Sequence, residues 1–246
     1  MVVLAMIVGL GMHVPMAGAQ LQEKVNVSGS GEGYIDWENA FIYATAIGGV
    51  DMAKMVNRIQ AESQALKTAR YLAYQALSET VNGVRLSSKT LIKNSIMEDD
   101  ALKVEMEGTL KNAEVVEQKV DWIEKEPRAK VQVRLPVNGD LTYLAAEWAK
   151  KPENSETSLP PYTPDQKDKA DVVKQVESKA AYSGLIVDAR DCRGKPAMSP
   201  RLLSSDGKSL VFDSRNADYD AYLDNGFAGY TDTVEKAKAN PRVGTN

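Results

Sequence analysis

The chain has 246 residues, of which 43% are hydrophobic and 26% are charged, with 17 Gly and 10 Pro. These fractions are typical of globular proteins and exclude the collagen-like, low-complexity and disordered classes. The formal net charge of −4 gives no electrostatic reason to expect a nucleic acid or an anionic membrane surface as partner. Function must therefore be inferred from processing signals, organisation and motifs.

The first segment predicts export. Residues 1–19 contain no charged side chain and end on Ala17-Gly18-Ala19, a pattern that a signal peptidase accepts before Gln20. The apolar run is broken by Pro15 and is too short to cross a hydrocarbon core of about 30 Å, so a retained anchor is the weaker alternative. No Cys lies near the cleavage site, so we expect an exported, unlipidated protein in the periplasm or associated with the outer membrane. The missing basic residues suggest a start upstream of Met1 or a truncated chain.

Cleavage at this site would remove His13, the only histidine, and leave Cys192 as the only thiol. Nucleophile systems that depend on an imidazole base, and zinc sites built from His and Cys, are then not available. We predict a protein that is not an enzyme and has no catalytic residues, cofactor or metal. Cys192 is expected to be buried, with pairing between chains as the alternative.

An α+β domain is predicted over residues 20–150. Its glycine-rich start, residues 20–33, suits a flexible entry or an edge strand, and its glycines do not match a dinucleotide-binding loop. Apolar residues then recur at helical spacing and predict one long helix between Trp37 and Val81. The predicted apolar face is Met52, Met55, Val56, Ile59, Leu66, Ala69, Ala73, Leu77 and Val81. Asp51 is a candidate cap within this stretch, and Asn82-Gly83 marks the end.

Four strands are predicted after Gly83, because the apolar period changes from 3.6 to 2. They cover residues 84–93, 101–107, 116–122 and 129–137, with a turn at Glu126-Pro127-Arg128. A helix followed by such a meander predicts an α+β fold, with a long helix packed on an antiparallel sheet. The other face of the sheet is expected to be polar or to lie against a neighbour.

A proline-rich linker at residues 151–169 separates this domain from a small β-rich C-terminal unit at 170–246. Within that unit we expect a short helix at 170–181, a buried strand at 183–189 and a hairpin at 200–212 with Asp206-Gly207 in its turn. The tail after Asn216 is predicted to be helical in patches, with an end at Asn240-Pro241.

Three groups of side chains are candidates for chemistry. Asp188, Arg190 and Asp191 follow the predicted buried strand and could act as acid and base or hold a metal, although a surface ion pair in a turn is the favoured interpretation. A second group is acidic but lacks the spacing of a calcium loop, so a solvated helix face is expected. It consists of Asp218, Asp220 and Asp224. Trp37, Phe41 and Tyr43 could line a pocket or an oligomer contact, and core packing is the more common role.

Two blocks carry a family resemblance. Residues 69–119 with 128–139 combine an A-R-Y-L-A-Y-Q-A-L helix, a V-N-G-V-R-L-S-S-K-T turn and a closing R-A-K-V-Q-V-R-L-P-V-N-G strand. Residues 182–211 read YSGLIVDARDCRGKPAMSPRLLSSDGKSLV. Together they resemble the LPP-twenty-type family of Gram-negative envelope lipoproteins, which includes the flagellar disk protein FlgP.

The resemblance implies a structural, oligomeric role in the envelope and carries over no catalytic residue. The family's lipobox Cys is absent here, so the resemblance does not imply membrane anchoring. Asp191 and Cys192 also stand where relatives typically have Gly after Asp-Ala-Arg.

Two function classes remain open. One is an assembly protein, with flagellum association as one form of that role, and the other is a periplasmic module that binds a small ligand or cell-wall fragment. The predicted solvent faces of strands 84–93 and 101–107 are charged and lack the convergent aromatic and polar groups of a pocket. Assembly is therefore the favoured expectation, as a homo-oligomer formed through residues 33–145. Other envelope or flagellar proteins are possible partners, nucleic acid is not expected, and membrane contact is expected to be indirect only.

Overall fold

The structure is a computed structural model, and it describes residues 4–8, 21–29, 31–87, 90–97, 100–150, 184–190, 194–213 and 218–244. The predicted linker at 151–169, the predicted helix at 170–181, and the residues His13, Asp191 and Cys192 lie outside the described residues.

The described helices and strands divide between a large unit and a C-terminal unit. Those of the large unit are β2 (Gln22–Val25), β3 (Gly31–Asp36), β4 (Phe41–Gly48), α1 (Arg58–Asn82), α2 (Ile92–Met97), α3 (Asp100–Lys111), β5 (Glu114–Ile123), β6 (Glu126–Pro136) and α4 (Asp140–Lys150). Those of the C-terminal unit are β1 (Leu4–Val8), β7 (Leu185–Ala189), β8 (Leu202–Leu203), β9 (Leu210–Phe212), α5 (Tyr219–Asn225), β10 (Ala228–Thr231) and α6 (Val234–Ala239).

The predicted α+β class is confirmed. Strands β2 to β6 form an antiparallel sheet in the order β2-β3-β4-β6-β5, and α1 packs across one face of it. Inward-facing side chains of β4 and β6 alternate with outward-facing ones, as the burial pattern of each strand shows. The core lies between this inner face and α1. A small C-terminal unit with short strands follows.

Small residues bring α1 unusually close to the sheet. The buried face of α1 places Ala61, Ala65, Ala69 and Ala73 at intervals of four residues. A Cβ added to Gly48 of β4 would overlap the backbone of α1 at Ala65 and Ala69. The glycine-rich start of the domain has the same role, since a Cβ on Gly33 would overlap the side chain of Thr80. Both glycines are therefore explained by the close approach of α1, to the backbone at Gly48 and through the Thr80 side chain at Gly33.

The predicted long helix from Trp37 to Val81 is wrong in its first part. Residues 31–48 form the hairpin β3–β4, and the helix begins only at Arg58, where the Asn57 side chain accepts a hydrogen bond from the Gln60 N–H. The Asp36 carboxylate accepts hydrogen bonds from the backbone and side-chain amides of Asn39, which closes the hairpin turn. The predicted cap Asp51 lies at the start of a short 3₁₀ turn, and the predicted helix end at Asn82-Gly83 is confirmed.

Two of the four predicted strands are also wrong. Within residues 84–93, the described positions form an isolated bridge between Arg85 and Leu91, and α2 begins at Ile92. Residues 101–107 belong to α3, in which the buried positions Met106 and Thr109 and the half-buried Leu110 follow helical spacing. Val104, which created the apparent alternation, is 69% exposed.

The strands predicted at 116–122 and 129–137 are confirmed as β5 and β6. Their turn differs from the prediction. It lies at Glu124 and Lys125, which both adopt positive φ, while Pro127 is already part of β6. Positive φ at both central positions is what a two-residue hairpin turn requires.

The C-terminal unit contains a parallel sheet whose central strand comes from the other end of the chain. β1 pairs in parallel with β7 on one side and with β10 on the other. The predicted strand at 183–189 is confirmed as β7, and the hairpin with Gly207 in its turn is confirmed as β8–β9. The tail combines α5 and α6 with the unpredicted strand β10. Since β1 lies within the predicted signal peptide, a chain beginning at Gln20 would lack this central strand.

The two units meet at a buried joint. The Tyr230 hydroxyl donates to the Ala197 carbonyl at 2.6 Å and accepts from the Ala197 N–H at 3.0 Å. Its ring packs edge-on against Trp37, with ring centroids 5.6 Å apart. A Glu23 carboxylate oxygen accepts hydrogen bonds from Trp37 and from Arg85. The Trp37–Tyr230 ring contact therefore joins the two units, and the polar groups beside it are paired within each unit.

Candidate functional site

Asp188 and Arg190 of the first candidate group form a local surface ion pair. Arg190 donates from its Nε to both carboxylate oxygens of Asp188, at 2.9 and 3.1 Å, and from its backbone N–H at 3.1 Å. These hydrogen bonds, with the positive charge of Arg190, lower the pKa of Asp188 to about 2. Both side chains are about half exposed, so this carboxylate is held ionised at the surface and is poorly suited to accept a proton.

The second acidic group does not converge on one point. Asp218 caps α5, where its carboxylate accepts a hydrogen bond from the Ala221 N–H at 3.0 Å. Asp220 and Asp224 lie further along the same short helix and are exposed. Across the part of the chain that the structure describes, no three His, Cys, Asp or Glu side chains are grouped so that they could hold a metal ion.

The segment after β7 is a docking segment for the large unit. Residues 196–200 are all buried. The backbone N–H groups of Met198 and Ser199 donate to the carbonyls of Arg85 and Leu86, at 2.9 and 2.8 Å. Arg85 returns a hydrogen bond from its Nε to the Pro196 carbonyl at 3.0 Å. The P-A-M-S-P block of the sequence resemblance therefore connects the two units.

The face of the large sheet opposite α1 carries a ladder of aromatic and charged side chains. The register places Tyr34, Tyr43, Arg134 and Glu114 side by side across β3, β4, β6 and β5. The tyrosine rings are stacked with centroids 4.9 Å apart, and the Arg134 Nε donates to Glu114 at 2.9 Å. The Arg134 guanidinium also lies 4.5 Å from the centre of the Phe41 ring. We call the face of the large sheet that carries this ladder the open face. It comprises the side chains of β3, β4, β6 and β5 that point away from α1.

The electrostatics of the ladder favour the neutral form of Tyr34 and the charged form of Arg134. Partial burial, together with the neighbouring Tyr43 and Asp36, raises the pKa of Tyr34, so its phenol stays neutral. Hydrogen bonds to Glu114 and Tyr43 raise the pKa of Arg134. The ladder therefore presents the neutral phenol of Tyr34 and the guanidinium cation of Arg134.

The open face becomes more polar and more charged toward β5. Gln132 donates to the Thr45 hydroxyl at 3.0 Å, and Lys130 pairs with Glu117 at 3.0 Å. On β5 itself, Lys119 pairs with Asp121 at 2.8 Å, and this hydrogen bond raises the pKa of Lys119. The open face thus passes from stacked rings to alternating charges at the free edge of the sheet.

The three aromatic candidates from the sequence have different positions. Trp37 is 4% exposed and belongs to the core and the joint. Phe41 and Tyr43 are half-buried on the open face. The sequence argument missed Tyr34 and Arg134, although the run of aromatic and β-branched residues at 41–47 signals a strand. Reading that run as helix hid the face on which these side chains meet.

The described side chains of the open face offer contacts for binding. They do not place a nucleophile next to a general base. Stacked rings next to a cation favour planar or apolar ligand faces, and the unpaired backbone groups of an edge strand can bind another strand. Among the described residues, no helix is both long and apolar enough to span a bilayer.

Comparison with known proteins identifies one similarity. Residues 184–246 match the family model described as Treponema pallidum Tp0624, second domain. The match covers the C-terminal unit from just before β7 and does not include β1 or the large sheet. No curated protein matches the chain.

Proposed function

We propose that the chain is a non-enzymatic, exported envelope protein that acts as a structural component by assembling with copies of itself. The observation that carries this proposal is the large sheet, which α1 covers on one face only and which ends in the long, charged edge strand β5. A sheet with one open face and a free edge gains stability when both are covered by another chain.

The family resemblance supports the same role. The resembling blocks at 69–119 and 128–139 cover most of α1, α3, β5 and β6. Of these, β6 contributes to the open face and β5 forms its edge. Disk assembly around a flagellar motor is a property of one family member, and a flagellar role for this chain is part of the proposal. The match of residues 184–246 to a domain of a Treponema pallidum protein supports treating the C-terminal unit as a separate module.

The mass of the full chain in solution tests assembly. Light scattering and sedimentation velocity should show a species larger than the monomer, increasing with protein concentration. A head-to-tail contact would close into a ring, while a two-fold contact would stop at a dimer. A strict monomer from micromolar to millimolar concentration would contradict assembly.

The stacked tyrosines support a second candidate function, a module that binds a small ligand or cell-wall fragment. The sequence argument against binding considered strands 84–93 and 101–107, which are not strands. The true open face does bring rings and polar groups together at Tyr34, Tyr43, Thr45 and Gln132. Such a combination is what a sugar or an aromatic ligand requires.

Titration with a soluble N-acetylglucosamine tetramer tests this second candidate. Binding that Tyr43→Ala weakens about tenfold, while Tyr71→Ala leaves it unchanged, would support a saccharide site on the open face. Tyr71 is a suitable control because it is an exposed tyrosine on α1, on the opposite side of the sheet. Equal affinity in both variants would place any binding elsewhere.

A further inference from the structure

Strand β5 forms a long edge of the large sheet. It pairs with β6 along one side, and none of the described strands pairs along its other side. The strand has ten residues, and its first six are all exposed. An edge of this kind presents backbone N–H and C=O groups that another strand can bind.

The charges on this edge are self-complementary. Lys119 and Asp121 are two residues apart, point to the open face and are 63% and 52% exposed. If two copies of β5 pair antiparallel about a two-fold axis at Val120, Lys119 of each copy lies opposite Asp121 of the other. Since each lysine already lies beside the aspartate of its own strand at 2.8 Å, the four charges would alternate in sign around a closed group.

Other registers are less favourable. A pairing centred on Lys119 sets Lys119 against itself and Glu117 against Asp121, so that like charges meet. A pairing centred on Gln118 sets Glu117 against Lys119, but it runs through the β-bulge between Val115 and Glu117. If one strand slides by a single residue relative to the other, the two-fold axis falls between two residues. Side chains that point to the open face then lie opposite side chains that point to the helix face.

The register centred on Val120 uses only the regular part of the strand, residues 117–123. Two valines meet at the centre, and β-branched cross-strand pairs stabilise sheets. The pairing would leave the tyrosine ladder uncovered, because it uses backbone groups at the edge of the sheet.

We propose that a second copy of this chain binds edge to edge through β5, antiparallel and centred on Val120, so that the two sheets become one continuous sheet. This inference rests on the proposed assembly function and names its contact. A two-fold contact closes at the dimer, so a larger structure would use the dimer as its building block.

Charge reversals on the full chain test the contact. Lys119→Glu places Glu opposite Asp121, and Asp121→Lys places Lys opposite Lys119, so each variant should raise the dimer dissociation constant about tenfold or more in sedimentation velocity. An equimolar mixture of the two variants restores opposite charges across the contact and should form a heterodimer.

Glu117→Lys is the matched control, since it makes the same charge change on the same strand and face as Asp121→Lys. At this register Glu117 lies opposite Ile123, so the dissociation constant should stay within about threefold of the wild-type value. Thermal melts of each variant separate lost pairing from lost folding.

Four outcomes would overturn the inference. If Glu117→Lys weakens the dimer as much as Asp121→Lys, the register is wrong. If the folded single variants do not associate when mixed, the charge pairs do not exist. If the wild type assembles and none of the charge reversals affects its assembly, the proposed β5 contact is wrong and the proposed assembly function stands. If the wild type is monomeric at every concentration, both the β5 contact and the assembly function are wrong.

Discussion

Removing the Tyr230 hydroxyl tests whether the joint between the two units depends on the buried hydrogen bonds that fix Ala197 of the docking segment to β10. Tyr230 and Ala197 are each 3% exposed, and the hydroxyl pairs with both the N–H and the C=O of Ala197. Tyr230→Phe keeps the ring that packs on Trp37 and leaves those two backbone groups unpaired. A buried polar group without a partner costs about 1–3 kcal/mol, so we expect the free energy of unfolding to fall by at least about 2 kcal/mol.

Urea unfolding followed by tryptophan fluorescence measures this loss, and hydrogen exchange of the Ala197 amide localises it. Tyr143→Phe is the control, because Tyr143 is 42% exposed and should change stability by less than about 0.5 kcal/mol. If Tyr230→Phe costs no more than this control and the Ala197 amide keeps its protection, the hydroxyl does not hold the joint.

The same residue predicts a pH dependence. Burial raises the pKa of Tyr230, so the folded state binds the phenolic proton more tightly than the unfolded chain, whose tyrosines titrate near 10. The stabilisation from this group is complete below about pH 10 and is lost progressively as the pH rises above it. In Tyr230→Phe, the alkaline decrease of stability between about pH 10 and 12 should be smaller than in the wild type.

Three further predictions concern other parts of the molecule. Gly48→Ala should lower the free energy of unfolding by about 1–3 kcal/mol, because the added methyl group overlaps the backbone of α1. Gly108→Ala is the control, since Gly108 lies in α3 with open space around it, and it should stabilise the protein by up to about 1 kcal/mol. Equal effects of the two substitutions would contradict the packing argument. Arg190→Gln should raise the pKa of Asp188 from about 2 toward its ordinary value near 4 in an NMR titration, with an unchanged pKa as the contrary result. Intact mass of periplasmic material should show cleavage after Ala19, and a species that still begins at the first Met would contradict export.

How far the sequence predicts the fold depends on which side chains form the core. Periodicity located the C-terminal half of α1 because Leu77 and Val81 are large and buried. It failed at the N-terminal end, where Val56 and Ile59 are 86% and 79% exposed and the helix buries alanines instead. Alanine is a weak periodicity signal, and its role here depends on glycines in a strand distant in sequence. That pairing of small residues is a tertiary property.

The open face could be predicted only once β3 and β4 were placed correctly. The alternation in β5 and β6 is evident in the sequence, and both strands were found. The stack of Tyr34 on Tyr43 depends on the register of a hairpin whose turn is closed by Asp36 and Asn39, a polar cap that also resembles a helix start. The ladder from Tyr34 to Glu114 then requires four strands in one register, which no local pattern specifies.

The sequence of residues 1–19 fits two different roles, a cleaved signal peptide and a segment that contains the central strand β1. A short, uncharged, apolar run satisfies a signal peptidase and also satisfies the centre of a parallel sheet, because both require apolar side chains without charge. Leu4–Val8 supplies strand pairing to β7 and β10 at once, so cleavage after Ala19 would expose both as new edges. If the exported chain lacks residues 1–19, the amides of β7 and β10 should exchange faster than in the full chain. Equal protection in the two forms would show that the C-terminal unit closes its sheet without this strand, as the match of residues 184–246 to a domain model would then also suggest.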